Sequence, residues 1–530
     1  MTKTATIKKI SIIDETLSKL PSGTLLKSFT KCYLSTYSER SLKSRVSAEH
    51  AEFIQDRYHF FIDAIKKGRQ TRIFIPEKKN LRIHNKHVLE FVCPDARFLL
   101  ATIEALFKEE DLSITRMLHP IMAVEKNSKG ELTNISLPIE GANLVSVSYI
   151  EFEDNTKKVD IEDLKKKIDL HMTATLSANN AMPALLDKMT GIKSLISKQS
   201  FNLTEPKEEW MNLIDWLKTY NFTFLGYANY SISHKKNETT VSLDKKSGMG
   251  IMDPNVTTQY LKDLPECLTD HVKEMAGSPS PFVFDTIQFT SPTHRFENIM
   301  RLSFKIPDKN NKVTEHIFLG ILKRSSLLAK NLETPLIHLK IKTIFKTKNM
   351  LPGSYNFNQI IRLFTTIPKF ELFRTPTKEL IHLAEDLLSI TNPNDIYCFH
   401  RNITETHEFP IVIVVPPSIF TRKNKSKILN YIQSIVPHYS IETIEIPGEQ
   451  FCRLHIYLKL KKDTELKFSY SEVETKLKEL LKPWEERLKE VLAQKFSPGK
   501  GKALYTRYTQ AFPEHYRLRR SPDENFNEDR

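Results

Sequence analysis

A few short stretches of this chain bring together residue types that could do chemistry. Gly248-Met249-Gly250 follows a strand-like run. A dinucleotide site needs such a Gly-rich turn, so that backbone amides can approach a pyrophosphate, but also a third glycine and an opening helix. Neither is read after Gly250, so a simple turn is the better reading. Gly499-Lys500-Gly501-Lys502 carries the lysines of a phosphate loop without its first glycine at the required distance, which favours a flexible linker. His84-Asn85-Lys86-His87 presents two imidazoles but no further metal ligand. Ser291-Pro292-Thr293-His294-Arg295 puts a hydroxyl, an imidazole and a guanidinium within five residues, and a turn held by side-chain-to-backbone bonds accounts for it. Asp95 stands between a strand and a helix, as an N-cap first and a ligand-loop residue second. No lysine and carboxylate pair stands out for proton transfer next to a carbonyl. The chain is therefore expected to contain no catalytic, cofactor-binding or metal residues.

The elements around Asp95 are well punctuated. Val88 to Cys93 is a short apolar strand, and Phe98, Leu99, Thr102, Ile103, Leu106 and Phe107 recur at helical spacing. Leu112 to Val124 returns to an extended pattern, and Asn127-Ser128-Lys129-Gly130 supplies a turn before Glu131 to Leu137. Val145 to Glu153 adds a half-buried strand, followed by a helix capped by Asp160. Before this unit, Phe53, Ile54, Tyr58, Phe61, Ile62 and Ile65 make one helical stripe, stopped at Gly68.

Further along, a middle region starts helical, with Trp210, Leu213, Ile214 and Leu217 on one face, and then turns strand-rich. Thr375 and Pro376 announce its last helix. A second α/β unit follows: strands at Ile396 to Phe399 and Ile411 to Val415, a helix around Ile428 to Ile435, strands Ile441 to Ile446 and Arg453 to Leu460, and a helix with a Ser471/Glu474 capping box, which Pro483 kinks or breaks. The division expected is 1–70 a helical lead-in, 71–177 a first α/β module, 178–391 the mixed middle region, 392–495 a second α/β module and 496–530 a linker with the start of a further segment.

Composition narrows the function classes. The 530 residues are 40% hydrophobic and 27% charged, ordinary for several globular domains. The net charge of +14 would suit nucleic acid or an anionic membrane, but the lysines are spread along the chain and Lys165 to Lys167 is the longest pure run. A solvated surface is the better reading, with neither nucleic acid nor membrane as partner. The five cysteines are widely separated and form no Cys-x-x-Cys pair, which fits a reducing cytoplasm, and neither a secretory signal nor a membrane span is read.

The strand, acidic turn and amphipathic helix around Asp95 resemble the first half of an ACT domain, a ferredoxin-like regulatory module. LSITRMLHPIMAVEKNSKGEL, Leu112 to Leu132 with His119-Pro120, is similar to the opening ACT-like module of the large bacterial NAD-dependent glutamate dehydrogenases. The same family is resembled, in order, by NFTFLGYANYSI at Asn221 to Ile232, SGMGIM at Ser247 to Met252, SPTHR at Ser291 to Arg295, EHIFLGIL at Glu315 to Leu322 and IPKFELF at Ile367 to Phe373. It is resembled again by Cys452-Arg453-Leu454-His455 and by Lys502 to Arg517. One departure stands at the Asp95 turn: the family usually has a proline two places after the aspartate, where this chain has Arg97, with Pro94 before it. The last strand of a complete ferredoxin-like sheet finds no place in the first module.

The resemblance implies an α/β (α+β) multi-domain chain, with two ferredoxin-like ACT-type sandwiches flanking a mixed middle region. It implies the N-terminal regulatory and assembly part of an enzyme that converts glutamate and NAD to 2-oxoglutarate and ammonia in the cytoplasm. NAD would belong to the complete enzyme, and the catalytic, helical and further ACT-like regions would be encoded downstream or separately. The partners implied are a second copy or a catalytic dehydrogenase chain, with an amino-acid effector held near Asp95, Ala96 and Arg97 by amides at the helix start. A free-standing amino-acid-sensing or scaffolding protein is the alternative.

Overall fold

The computed structural model describes residues 3–42, 46–76, 86–156, 159–203, 205–235, 238–276, 280–307, 312–400, 408–460, 469–513, 516–517, 520 and 522. His84 and Asn85 of the paired-histidine stretch lie outside them, as do 514–515, 518–519, 521 and 523–530 in the C-terminal segment. The chain forms two compact units, Met1–Ser326 and Leu327–Arg530, and the three sheets among the described residues are antiparallel.

The first unit opens with helices α1 (Lys3–Ser18), α2 (Thr24–Ser35), α3 (Glu39–Leu42) and α4 (Ser47–Lys67). The stripe on α4 buries Ile54 and Phe61 against Phe29 and Tyr33 of α2. Gly68 ends α4 at φ 85°, a conformation that costs glycine little. The next elements are β1 (Gln70–Phe74), β2 (His87–Pro94), α5 (Leu99–Glu109), β3 (Leu112–Leu118), β4 (Ile121–Lys126), β5 (Leu132–Ser136), β6 (Asn143–Asp154) and α6 (Ile161–Lys198). β6 pairs β2 on one side, and on the other pairs β3 along Tyr149 to Asp154 and β4 along Asn143 to Ser146. β3 and β4 thus act as one strand broken at His119-Pro120, because proline has no N–H to give a ladder.

Alternation sorts the two faces of this sheet. Val92, Met122, Val145 and Val147 meet the N-terminal helices. Leu89, Phe91, Ile150 and Phe152 meet Ile103 and Leu106 of α5 and Leu164, Ile168 and Met172 of α6. The missing last strand is found here: β1, arriving before the unit, pairs the outer side of β2. It therefore fills the place that a βαββαβ chain gives to its final strand.

Asp160 caps α6 through the amides of Glu162 and Asp163. The helix then runs 38 residues, straight through position 177, where a boundary was expected. Ala174 and Ala178 on its other side enter the core of a second sheet. That sheet follows α7 (Lys207–Trp216) and comprises β7 (Phe222–Lys235), β8 (Glu238–Gly250), β9 (Phe282–Thr290), β10 (Asn298–Pro307) and β11 (Val313–Leu322). Helices α8 (Pro254–Gln259) and α9 (Leu264–Met275) lie between β8 and β9, and α10 (Arg324–Leu328) comes after β11. The strand order is β8-β7-β11-β10-β9.

The second unit holds α11 (Ile337–Thr347), α12 (Tyr355–Thr366), α13 (Lys369–Arg374) and α14 (Thr377–Leu388). Then come β12 (Tyr397–His400), β13 (Glu408–Val415), α15 (Arg422–Ile435), β14 (His438–Ile446), β15 (Cys452–Leu460), α16 (Tyr470–Leu481), α17 (Trp484–Lys495) and α18 (Pro498–Tyr508). The sheet order β12-β13-β15-β14 repeats the plan of the first sheet, again with the outer strand supplied from before the unit.

Three local expectations are corrected. The capping box uses Ser469 and Glu472, two residues earlier than expected. Glu474 instead accepts from the Cys398 amide and pairs Lys478 at 3.0 Å. α14 begins at Thr377 after Pro376, with no side-chain cap from Thr375. Gly499 to Lys502 is no flexible linker but part of α18, because Gly501 lets that helix approach α17: a Cβ there would stand 2.9 Å from the Leu492 carbonyl oxygen.

Candidate functional site

The chain leaves the first sheet at Pro94 and turns through Asp95, Ala96 and Arg97 into α5. Asp95 is tied to the sheet: its amide donates to the Leu144 carbonyl at 2.9 Å, and Ser146 Oγ donates to its carboxylate at 2.5 Å. It does not cap α5. A capping side chain must sit directly before the first helical residue to reach the amides of the first turn, and that place belongs to Phe98, at φ 71° and ψ 4°. Ala96 packs beside the core under α5. Arg97 is held by its backbone: its N–H donates to Asn179 Oδ1 at 3.2 Å, and its carbonyl accepts from Asn179 Nδ2 at 3.0 Å. Asn179 of α6 thus fixes where the Arg97 side chain starts.

That side chain borders a cavity of about 370 Å³. One wall is α6, with Thr175, Asn179, Met182, Pro183 and Leu186; the opposite wall is the start of β7, Phe222 to Leu225, with Thr293 and Lys323 beside it. Between them, α7 ends in a wide turn, Leu217–Asn221, in which Tyr220 takes φ 65° and ψ 19°. A left-handed tyrosine costs about 1–3 kcal/mol, and such strain collects at ligand sites. Here it leaves the ring 68% exposed, with the Arg97 guanidinium 5.9 Å and the Lys323 ammonium 4.8 Å from its centroid.

Electrostatically the cavity is one-sided. Arg97, Lys218 and Lys323 line it, and among the described residues no carboxylate does. Partial burial and the nearby Arg97 both lower the Lys323 pKa. Thr223, 4% exposed, is among the lining residues, and its buried hydroxyl has no hydrogen-bond partner among the described residues. Pro183, inside α6, offers no N–H to the carbonyl of Asn179 one turn earlier. The SPTHR stretch is the turn expected of it: the Thr293 amide donates to Ser291 Oγ at 3.3 Å. It also closes this end of the cavity, where the His294 ring stacks on Phe98 at 4.0 Å and the His294 amide donates to Thr102 Oγ1 at 2.9 Å.

Of the three residues named from sequence, then, only Arg97 faces the cavity; Asp95 is engaged elsewhere. Lys218, Tyr220, Thr223 and Lys323 were missed. The nearest signal was NFTFLGY, whose Phe222 to Leu225 form one wall, and EHIFLGIL, which delivers Lys323 at its end.

The remaining stretches do other work. Gly248 and Gly250 serve close backbone approach: a Cβ at either would lie 2.1 Å from the carbonyl oxygen of Met252 or Leu225. An opening helix, α8, does follow them, but it is six residues long and capped by Asp253. His87 stacks on Phe152 at 5.3 Å. No group of three or more His, Cys, Asp or Glu side chains that could hold a metal occurs among the described residues. Cys32, Cys93, Cys398 and Cys452 are buried free thiols, and burial pushes Cys93 and Cys398 up to about 12, far from thiolate reactivity. No described helix is long and apolar enough to cross a membrane.

Among the described residues, buried ionic clusters hold the framework. In the second sheet, Arg301, wholly buried, donates from Nε and Nη2 to Asp285 at 2.9 Å each and from Nη1 to Glu315 at 3.3 Å. In the second unit, Glu371 of IPKFELF accepts from His455 Nδ1 at 3.0 Å and from the Tyr457 hydroxyl. Two of the stretches singled out in the sequence, 84 residues apart, thus meet in one polar contact.

Comparison with known proteins agrees with this architecture. Residues 29–168 match the family model for the ACT1 domain of glutamate dehydrogenase, and residues 334–392 that for its helical motif 1. The first match covers α4, the whole first sheet and the start of α6; the second covers α11 to α14. The NAD-specific glutamate dehydrogenase of Pseudomonas aeruginosa is 20% identical over 462 residues, 86% of this chain and 28% of that protein. That of Halomonas elongata is 18% identical over 473 residues, 87% of this chain and 29% of that protein. The chain spans less than a third of the length of these curated relatives. It carries the ACT1 domain and helical motif 1 of the large NAD-specific glutamate dehydrogenase family, as a distant relative of the N-terminal regions of those enzymes.

Proposed function

We propose that this chain is the regulatory and assembly portion of an NAD-dependent glutamate dehydrogenase, in which the complete enzyme converts glutamate and NAD to 2-oxoglutarate and ammonia in the cytoplasm. One observation carries the reading: the ACT1 match falls on a complete two-layer unit, and a strained, cation-lined cavity adjoins the turn into its first helix. The unit from Tyr397 to Leu481 is a second ACT-type module, since it repeats the strand order of the first, outer strand included. In this reading the chain holds no NAD and no metal, touches neither nucleic acid nor membrane, and works by associating with itself or with a catalytic dehydrogenase chain. An amino-acid effector acts from the Arg97 side of the Asp95 turn. The purified chain should then fail to reduce NAD with glutamate, followed by nicotinamide absorbance at high protein concentration. Turnover that survives repurification and disappears with a point substitution in this chain would overturn the proposal.

A further inference from the structure

The cavity beside Arg97 is charged at one end and apolar along its α6 wall. The Arg97 guanidinium and the Lys323 ammonium both stand by the exposed Tyr220 ring, and no carboxylate lines the cavity among the described residues. The two charges act on each other, since Arg97 helps to lower the Lys323 pKa. Both positions are fixed by backbone bonds: Arg97 through Asn179, and Lys323 through its N–H, which donates to the Asn221 carbonyl at 3.0 Å. Two uncompensated cations at one end favour an anion there, and arginine can grip a carboxylate with two parallel hydrogen bonds. From this end Ala178, Met182 and Leu186 follow at spacings of four along α6, so they share one face. Met182 and Leu186 are only half-buried and Pro183 is exposed, which leaves this apolar surface open to a ligand. Asn179 to Leu186 spans about 10 Å along the axis at 1.5 Å per residue, room for a small organic acid with a branched or aryl side chain. The third cation, Lys218, is held away from that end, because its ammonium donates to Thr190 Oγ1, one turn beyond Leu186. A ligand that fits has one charged head. We infer that this cavity binds a small monocarboxylate with an apolar body, its carboxylate at Arg97 in the field of Lys323 and its body along Met182, Pro183 and Leu186.

The inference rests on the regulatory reading only for what binding would accomplish; binding itself is a property of this chain. The same chemistry is offered by apolar 2-oxo acids and by apolar amino acids, and titration separates the two. Calorimetric titration of the whole chain with 4-methyl-2-oxopentanoate and with phenylpyruvate should give saturable heat at millimolar concentration or below. Leucine and phenylalanine should bind more weakly than these, because each brings an ammonium group up to two cations. Succinate, acetate and inorganic phosphate should be weaker by at least about tenfold. The second carboxylate of succinate would be desolvated against an apolar wall, and acetate and phosphate have no body to bury. Arg97→Gln removes an exposed side chain and keeps both backbone bonds to Asn179, and should weaken phenylpyruvate about tenfold or more. Met182→Gln makes the wall polar at nearly the same shape and should weaken it about threefold or more. The inference fails if neither 2-oxo acid gives heat, if succinate or phosphate binds as tightly as they do, or if both variants leave affinity unchanged. Absence of a dehydrogenase partner would overturn the proposed function without touching this result.

Discussion

Arg301→Met should be the most damaging single change in the second sheet. The guanidinium has no exposed surface, and its partners Asp285 and Glu315 are 5% and 0% exposed. Three ions in such a place gain large mutual attraction but lose their hydration, so the intact cluster contributes little net stability. Removing only the cation is different, because it strands two carboxylates with His271, 3.1 Å from Asp285, as the remaining imidazole partner. Breaking a buried pair in this way costs about 3–5 kcal/mol. The pH dependence follows. Burial alone would raise the Asp285 carboxyl, but Arg301 and His271 outweigh it and hold it well below the usual carboxylate range. In the native protein its stabilisation is therefore complete above the unfolded value and lost as pH falls through the depressed folded value. In the variant the penalty falls on the charged form, so the deficit widens as pH rises, by up to about 1.4 kcal/mol per unit. Hydrogen exchange of peptides covering β9 to β11, with and without denaturant, measures the local loss. The charge-free triple variant Arg301→Met, Asp285→Asn, Glu315→Gln should be more stable than the single one. A cost under about 1 kcal/mol for Arg301→Met, or a triple variant less stable than the single, would refute the argument.

Other perturbations follow from the same packing. Gly250→Ala, at φ 63° with the Leu225 carbonyl where the methyl would go, should destabilise the first unit by more than about 2 kcal/mol in denaturant unfolding. Lys340→Met should destabilise the second unit by about 2–3 kcal/mol, since the buried ammonium donates to the carbonyls of Leu372, Phe373 and Thr375 at 3.1, 2.6 and 2.9 Å and so closes the end of α13. Burial and Lys188 lower His316 from the ordinary 6.5 to about 4. The unfolded chain then takes up that proton first, so stability falls as pH drops through this window. His316→Gln should flatten the fall by up to about 3 kcal/mol, read from denaturant midpoints between about pH 7 and pH 4.

The most legible strands were short, nearly continuous apolar runs buried on both faces. Val88 to Cys93 and Ile411 to Val415 are such runs, and both are central in their sheets. β1 escaped because Gln70-Thr71-Arg72-Ile73-Phe74 is an edge strand, half-buried at every position, with no two-residue period to show. The length of α6 was hidden by Pro183 and by a run of small and polar residues, which pack on two sheets instead of presenting one apolar stripe. The cavity was legible only at Arg97. Lys218, Tyr220, Thr223 and Lys323 come from two other places in the chain, and it is the wide turn at Leu217–Asn221, with its left-handed tyrosine, that lines them up. Pairing of this kind depends on strand register, and local spacing carries none of it.

The proposed place of this chain in a glutamate dehydrogenase requires a physical association. Its most direct test is affinity purification of the tagged chain from its own cells, with mass spectrometry of what co-elutes and assay of the eluate for glutamate-dependent NAD reduction. The expected eluate holds a catalytic dehydrogenase chain, or a longer product containing this one, together with that activity. An eluate holding this chain by itself, while glutamate dehydrogenase activity stays wholly in the unbound fraction, would contradict it.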